Sequence, residues 1–230
     1  MAQRSAVWVL TLFLLASLPG SGAAWNKAGH MVSGAIAWSD LTQANATALA
    51  RVVELLKAHP DFPTKWNTEI TKPFVPPEER DLYLFMLATR WPDDIRGTQR
   101  YDRPPWHYIN HPFLPAGGPT VPSVDPTAEH IRSAFAMNRA ILQSAAPSSE
   151  RSIALCWTFH LIGDVHQPLH TVKLVTTQFP APQGDRGGTR FFIRVRPDRS
   201  TISLHEFWDD LVLDVHFINP VPVYFSRANR

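Results

Sequence analysis

The sequence predicts a mostly α, single-domain multi-helix bundle with at most one short β-hairpin. Apolar residues recur at helical spacing through most of the 230-residue chain. A single stretch near residue 190 alternates with period two instead. His–Asp pairs four residues apart, which a helix brings one turn from each other, stand at His160/Asp164 and His205/Asp209.

Residues 1–24 read as a secretory signal peptide. Arg4 supplies the positive start, an apolar run follows, and Pro19 and Gly20 precede a small-residue stretch ending at Ala24. The run is too short for a comfortable permanent span, so the expectation is an exported protein, periplasmic or secreted, with no stable membrane anchor. Cleavage would leave Trp25 as the new N-terminus. The division predicted is a leader at 1–24, one domain at 25–218 and an irregular tail at 219–230.

The remaining two hundred or so residues suffice for one sizeable core. A formal net charge of +2 excludes a protein that holds nucleic acid mainly by neutralising phosphates, so any such role must rest on a local site. Cys156 is the only cysteine. No intrachain disulfide can form, and Cys156 reads as a small core residue. Stability must come from packing, metal, or both.

A first helix is predicted over 27–39, with Ala28, Met31, Val32, Ala35 and Ile36 at helical spacing and His30 in its first turns. A second covers 42–57, striped by Leu49, Val52, Val53 and Leu56. Residues 65–77 are polar and proline-bearing, hence a loop. A helix over 78–88 delivers Asp93 and Asp94, which follow Pro92 at a helix end or turn. His107, between Trp106 and Tyr108, reads as part of a partly buried extended segment. Residues 112–126 form a loop; 129–145 form a helix with Ile131, Phe135, Ile141 and Leu142 on its core side. The central helix starts near Glu150, and Pro168 ends or bends it so that His170 turns back. Residues 171–188 are irregular, 189–195 and 201–204 pair as a hairpin, and a last helix spans 203–215.

Imidazole nitrogen and carboxylate oxygen are donors that zinc accepts, and several such pairs on facing helices can build a multi-metal site. The same spacing also describes a surface ion pair or a buried hydrogen bond. Asp93 and Asp94 could equally cap a helix.

In order along the chain, WNKAGH, RWPDDIR, PWHYIN, HLIGDVHQPLH, the RGG turn and LHEFWDD resemble the zinc-dependent single-strand nucleases of the S-one/P-one type, relatives of zinc-dependent phospholipase C. The resemblance implies a mostly helical fold with three zinc ions in a cleft. It implies Asp93, His107, His160 and Asp164 on the first zinc, and His170, His205 and Asp209 on the second. The third would take the amine and carbonyl of Trp25 with His30 and Asp164, which bridges two metals. His166 and Asp94 are implied to be neighbours rather than ligands. Asp93 is the implied catalytic group, orienting a metal-activated water against phosphorus. The implied substrates are single-stranded DNA and RNA, cut to 5′-nucleotides, with removal of 3′-phosphates besides, by a monomeric enzyme. The branch acting on phospholipids typically ends its ligand set in Glu; Asp209 here favours a nuclease, and a metal-stabilised inactive protein is the remaining alternative.

Three departures stand out. Thr189 follows Gly187 and Gly188 where the pattern has Asn, and Asn26 follows Trp25 where Gly is usual. The chain also stops about twenty residues past LHEFWDD, which predicts an apolar patch left uncovered.

Overall fold

A computed structural model describes residues 25–211 other than 99, 117, 119, 120, 122, 123, 125, 126 and 199. The expected leader, the tail at 219–230 and residues 212–215 of the expected last helix lie outside the described residues; the helix itself stops at Asp209, short of its expected end. Helix α1 (Lys27–Ala44) begins at Asn26, whose side chain accepts the Gly29 N–H at 2.8 Å. It runs past the expected end at 39 because the break falls on Asn45. That residue is extended, and its side chain accepts the Ala48 N–H to cap α2 (Ala46–Lys57). The expected loop after α2 instead holds a π turn, Phe62–Trp66, running into α3 (Asn67–Ile70). Burial of Trp66 and Ile70 draws this polar stretch onto the core.

Helix α4 (Arg80–Asp94) also outlasts its predicted end and passes through Pro92. A proline in the last turn removes only the donor that would reach the Ala88 carbonyl, a loss the buried Trp91 beside it outweighs. The segment expected to be extended around His107 is a 3₁₀ turn, Pro104–His107, begun by two prolines whose φ suits it. Strand β1 (His111–Phe113) follows, then α5 (Ile131–Gln143), opened by a capping box in which His130 and Ser133 exchange side-chain and backbone bonds.

The central helix is α6 (Ser148–Val165), and a 3₁₀ turn, Pro168–His170, follows Gln167. Strand β2 (Val172–Leu174) lies parallel to β1, a pairing not foreseen because its partners are far apart in sequence and no turn signals it. The foreseen hairpin is present but short: β3 (Phe192–Ile193) antiparallel to β4 (Ile202–Ser203). Ser203 then caps α7 (Leu204–Asp209).

Helix α6 packs between α4 and α5, and α1 crosses α4. Such a helix must be apolar around most of its girth, as Ala154, Leu155, Cys156, Trp157 and Leu161 are. Cys156 is fully buried, as expected, and burial pushes its thiol well up. With Leu84, Phe85, Leu87 and Trp91 of α4, Leu155, Cys156, Trp157 and Leu161 belong to the main core. The C-terminal third of α6 keeps the burial but changes chemistry, to His160 and Asp164.

Candidate metal centre

His160 and Asp164 leave α6 one turn apart, and neither is exposed to solvent. Around them converge His30 from α1, Asp93 from the last turn of α4, and His107 from the 3₁₀ turn. The His30 and His160 rings stack at 3.8 Å between centroids. Gly163 makes this possible: a Cβ there would stand 2.9 Å from His30 Nδ1.

Asp164 divides its two oxygens. Oδ1 stands 3.2 Å from His30 Nε2, while Oδ2 stands 3.0 Å from His107 Nδ1 and 3.3 Å from His160 Nε2. His160 Nε2 is also 3.0 Å from His107 Nδ1 and 3.7 Å from Asp93 Oδ1. Ligands at 2.0–2.1 Å on a tetrahedral ion stand about 3.3 Å apart, so these spacings match donors sharing a cation. Two donor groups result, His30/His160/Asp164 and Asp93/His107/His160.

A third group is His170, His205 and Asp209. The two rings stack at 5.0 Å, and His205 Nε2 lies 3.5 Å from Asp209 Oδ2. His170 Nδ1 donates to the His107 carbonyl at 2.6 Å, so one residue serves the first group with its ring and the third with its backbone.

Tautomers follow from the carbonyls, which can only accept. His160 Nδ1 donates to Thr89 O at 2.9 Å, and His205 Nδ1 donates to Gly187 O at 2.6 Å. With His170, that makes three imidazoles whose Nδ1 carries the proton and whose Nε2 is turned toward the carboxylates, the form a metal requires. Gly187 has φ 60°, which places its carbonyl where few side-chain-bearing residues could.

Electrostatics without a cation show the same demand. Burial is the largest influence on each group. It pushes Asp209 up to about 8 and His170 down to about 4. At Asp164 burial is outweighed by His160, His107 and His30, which hold the carboxyl well below the usual range. At Asp93 it is outweighed by His160, His30 and Arg96, and that carboxyl is lowered too. His160 is raised, because Asp164 and Asp93 overcome its burial. Buried Nε2 of His170 and Oδ2 of Asp93 have no hydrogen-bond donor or acceptor among the described residues. Such orphaned ligand-type atoms fit zinc or a similar divalent cation.

Trp25 is held near this centre by its indole N–H, which donates to the Gly163 carbonyl at 3.0 Å, one residue before Asp164. Asp94, close to Asp93 in sequence, points elsewhere and pairs with Lys27 at 2.7 Å and Arg90 at 2.9 Å. His166 caps α6, exposed, with Nδ1 on the Ile162 carbonyl. Sequence reasoning missed two side chains. Arg96 Nε donates to Asp93 Oδ1 at 2.8 Å; its position three residues on in RWPDDIR was the available signal. Gln167 is fully buried and donates from Nε2 to Asp209 Oδ1 at 2.7 Å, with nothing in its spacing to announce it.

The fold and site define a helical protein with three imidazole–carboxylate groups, drawn from separate elements, that could hold metal ions. The family described as S1/P1 Nuclease matches residues 25–219, and the chain belongs to it. Among relatives, Endonuclease 5 of Arabidopsis thaliana is 24% identical over 222 residues, covering 90% of this chain and 62% of that protein. Endonuclease 4 of the same plant is 24% identical over 232 residues, covering 96% of this chain and 64% of that protein. The chain thus spans just under two thirds of the length of these relatives. No helix among the described residues is long and apolar enough to cross a membrane.

Proposed function

We propose that this chain is a zinc-dependent nuclease that hydrolyses phosphodiesters of single-stranded DNA and RNA to 5′-nucleotides, and also removes 3′-phosphates. The observation that carries the reading is Asp164, whose two oxygens face different donor groups and can serve two cations at once. His30, His107, His160, Asp93 and Asp164, with the backbone of Trp25, would hold two ions; His170, His205 and Asp209 would hold a third. Bound zinc supplies an acidified water and positive charge against the phosphoryl oxygens. Kinship with proteins called endonucleases supports the same class of reaction.

The chain's own residues do the rest. Asp93 keeps Oδ1 on Arg96, which leaves Oδ2 as an ionised acceptor to orient the attacking water. Arg96 brings a fixed positive charge beside His107, at 3.5 Å, where it favours negative charge developing on phosphorus oxygens. Gln167 fixes the rotamer of Asp209, and the Thr89, His107 and Gly187 carbonyls fix three imidazoles before any ligand arrives. The reading takes residues 25–218 as one domain, with Trp25 bearing a free amine after leader removal.

The test is to purify the chain beginning at Trp25, measure zinc per molecule, and assay the same sample on single-stranded DNA and RNA. About three zincs with chelator-sensitive cleavage is the expected result. Zinc bound in full with no cleavage of either polymer would overturn it.

A further inference from the structure

A cavity of about 410 Å³ opens beside the third donor group. His170 and His205 form part of its wall, and Tyr108, Asn110, Lys173, Gln183, Arg186 and Thr189 are its other polar lining residues. Two cationic side chains face it, and no carboxylate among the described residues lines it. Neither Lys173 nor Arg186 forms an ion pair among the described residues. In a chain with so little net charge, that is a local concentration of positive potential.

Both cations are held by backbone. Lys173 lies in β2, and its Nζ donates to the Pro182 carbonyl at 2.6 Å, leaving two ammonium hydrogens for a ligand. Arg186 follows Asp185, whose N–H donates to the Leu174 carbonyl at 2.9 Å and whose Oδ1 accepts the Leu174 N–H at 2.8 Å. These two bonds clamp the Arg186 turn to the strand carrying Lys173. They also engage Oδ1 of the adjacent Asp185 with backbone.

The turn shows a second sign. Gly184, Gly187 and Gly188 have positive φ, and Arg186 joins them at 56°, the only non-glycine residue to do so among those described. A long side chain is an uncommon occupant of that region, and such strain gathers where a ligand is bound.

We propose that Lys173 and Arg186 form an anion subsite for a second phosphate of the substrate strand, one flanking the phosphodiester held at the His/Asp groups. The proposal rests on the nuclease reading above. A guanidinium fork beside an ammonium matches phosphate in charge and donor geometry. The subsite makes the enzyme favour strands over isolated diesters.

Zinc-loaded protein and its Arg186→Asn and Lys173→Gln variants test this. Asn enters the left-handed region readily, so the turn survives, and parental zinc content certifies the fold. The first readout is kcat/KM on dithymidine monophosphate against the same diester carrying a terminal 5′- or 3′-phosphate. The parent is expected to favour one doubly phosphorylated form by roughly tenfold, and each variant to bring that ratio close to one. A parental ratio near one, or a ratio unchanged in both variants, overturns the subsite.

The second readout is salt-dependent binding of a phosphorothioate oligothymidylate. The slope of log affinity against log salt should fall by about 0.7 for each cation removed. An unchanged slope overturns the subsite even if cleavage is normal. A parent that cleaves nothing, while its variants lose slope as expected, retires the nuclease reading and leaves the subsite standing.

Discussion

His59 is buried as deeply as the histidines of the metal centre, yet the two regions use imidazole in opposite ways. His59 stacks on Trp66 at 4.3 Å and meets the edge of Trp91 at 4.7 Å. Its Nδ1 accepts the Asp61 N–H at 3.0 Å, so the proton sits on Nε2. His160, His170 and His205 are the mirror case: Nδ1 donates to a carbonyl, and Nε2 is left with its lone pair. Burial alone therefore does not mark function. The backbone partner sets the tautomer, and what the remaining lone pair faces, a backbone N–H at His59 or a cluster of carboxylates and imidazoles at the other three, separates packing from a ligand-type placement.

The largest expected effect breaks the centre at its shared oxygen. Asp164→Asn should lose about two of three zincs and at least roughly a hundredfold in cleavage, measured by metal analysis and a single-strand assay. His166→Ala, a change at an exposed cap, should keep parental zinc content. Equal zinc loss in both variants would sink the ligand assignment.

The caged histidine should instead govern acid stability. Burial lowers His59 to about 4, whereas its unfolded imidazole titrates at 6.5. The neutral form is the one that packs, so its contribution is full above pH 6.5 and disappears as pH falls to about 4. The shift corresponds to roughly 3 kcal/mol. His59→Phe should flatten that part of the stability–pH curve, compared with the parent in denaturant titrations after chelation, and should leave zinc content at neutral pH unchanged. An identical acid dependence in the two proteins would remove His59 from the account.

A smaller effect sharpens the comparison within the centre. Gln167→Ala leaves all ligands in place but frees Asp209 to rotate. Zinc affinity of the third group should fall roughly 10- to 100-fold. Competition with a graded chelator would show one weakened site beside two of parental strength. Uniform weakening of all three would mean that Gln167 supports the fold rather than Asp209.

Much of the helical framework was legible because its signals are local. The stripe of Leu49, Val53 and Leu56, the apolar run of α6 and the period-two stretch near 190 each lie within one element. Errors gathered where neighbours decide. Asn45 moved a helix boundary by capping both sides of it, α4 continued through Pro92, and β1 found β2 across the whole of α5 and α6. Asp93 and Asp94 could not be separated by spacing; one is buried against three histidines, the other sits between Lys27 and Arg90.

By itself the sequence determined the smallest unit of the candidate site, a His and an Asp one helical turn apart on α6 and again on α7. That follows from helix periodicity, which needs no partner. Tertiary structure alone decided which atoms meet. The carbonyls that set the tautomers of His160 and His170 come from residues 71 and 63 positions away, and that for His205 from 18 away. A hydrogen bond to a distant backbone carbonyl leaves no trace in the spacing of the side chain that makes it, and only the fold that sets α6 on α4, the His107 turn against the His170 turn and the Gly187 turn against α7 brings those carbonyls within reach.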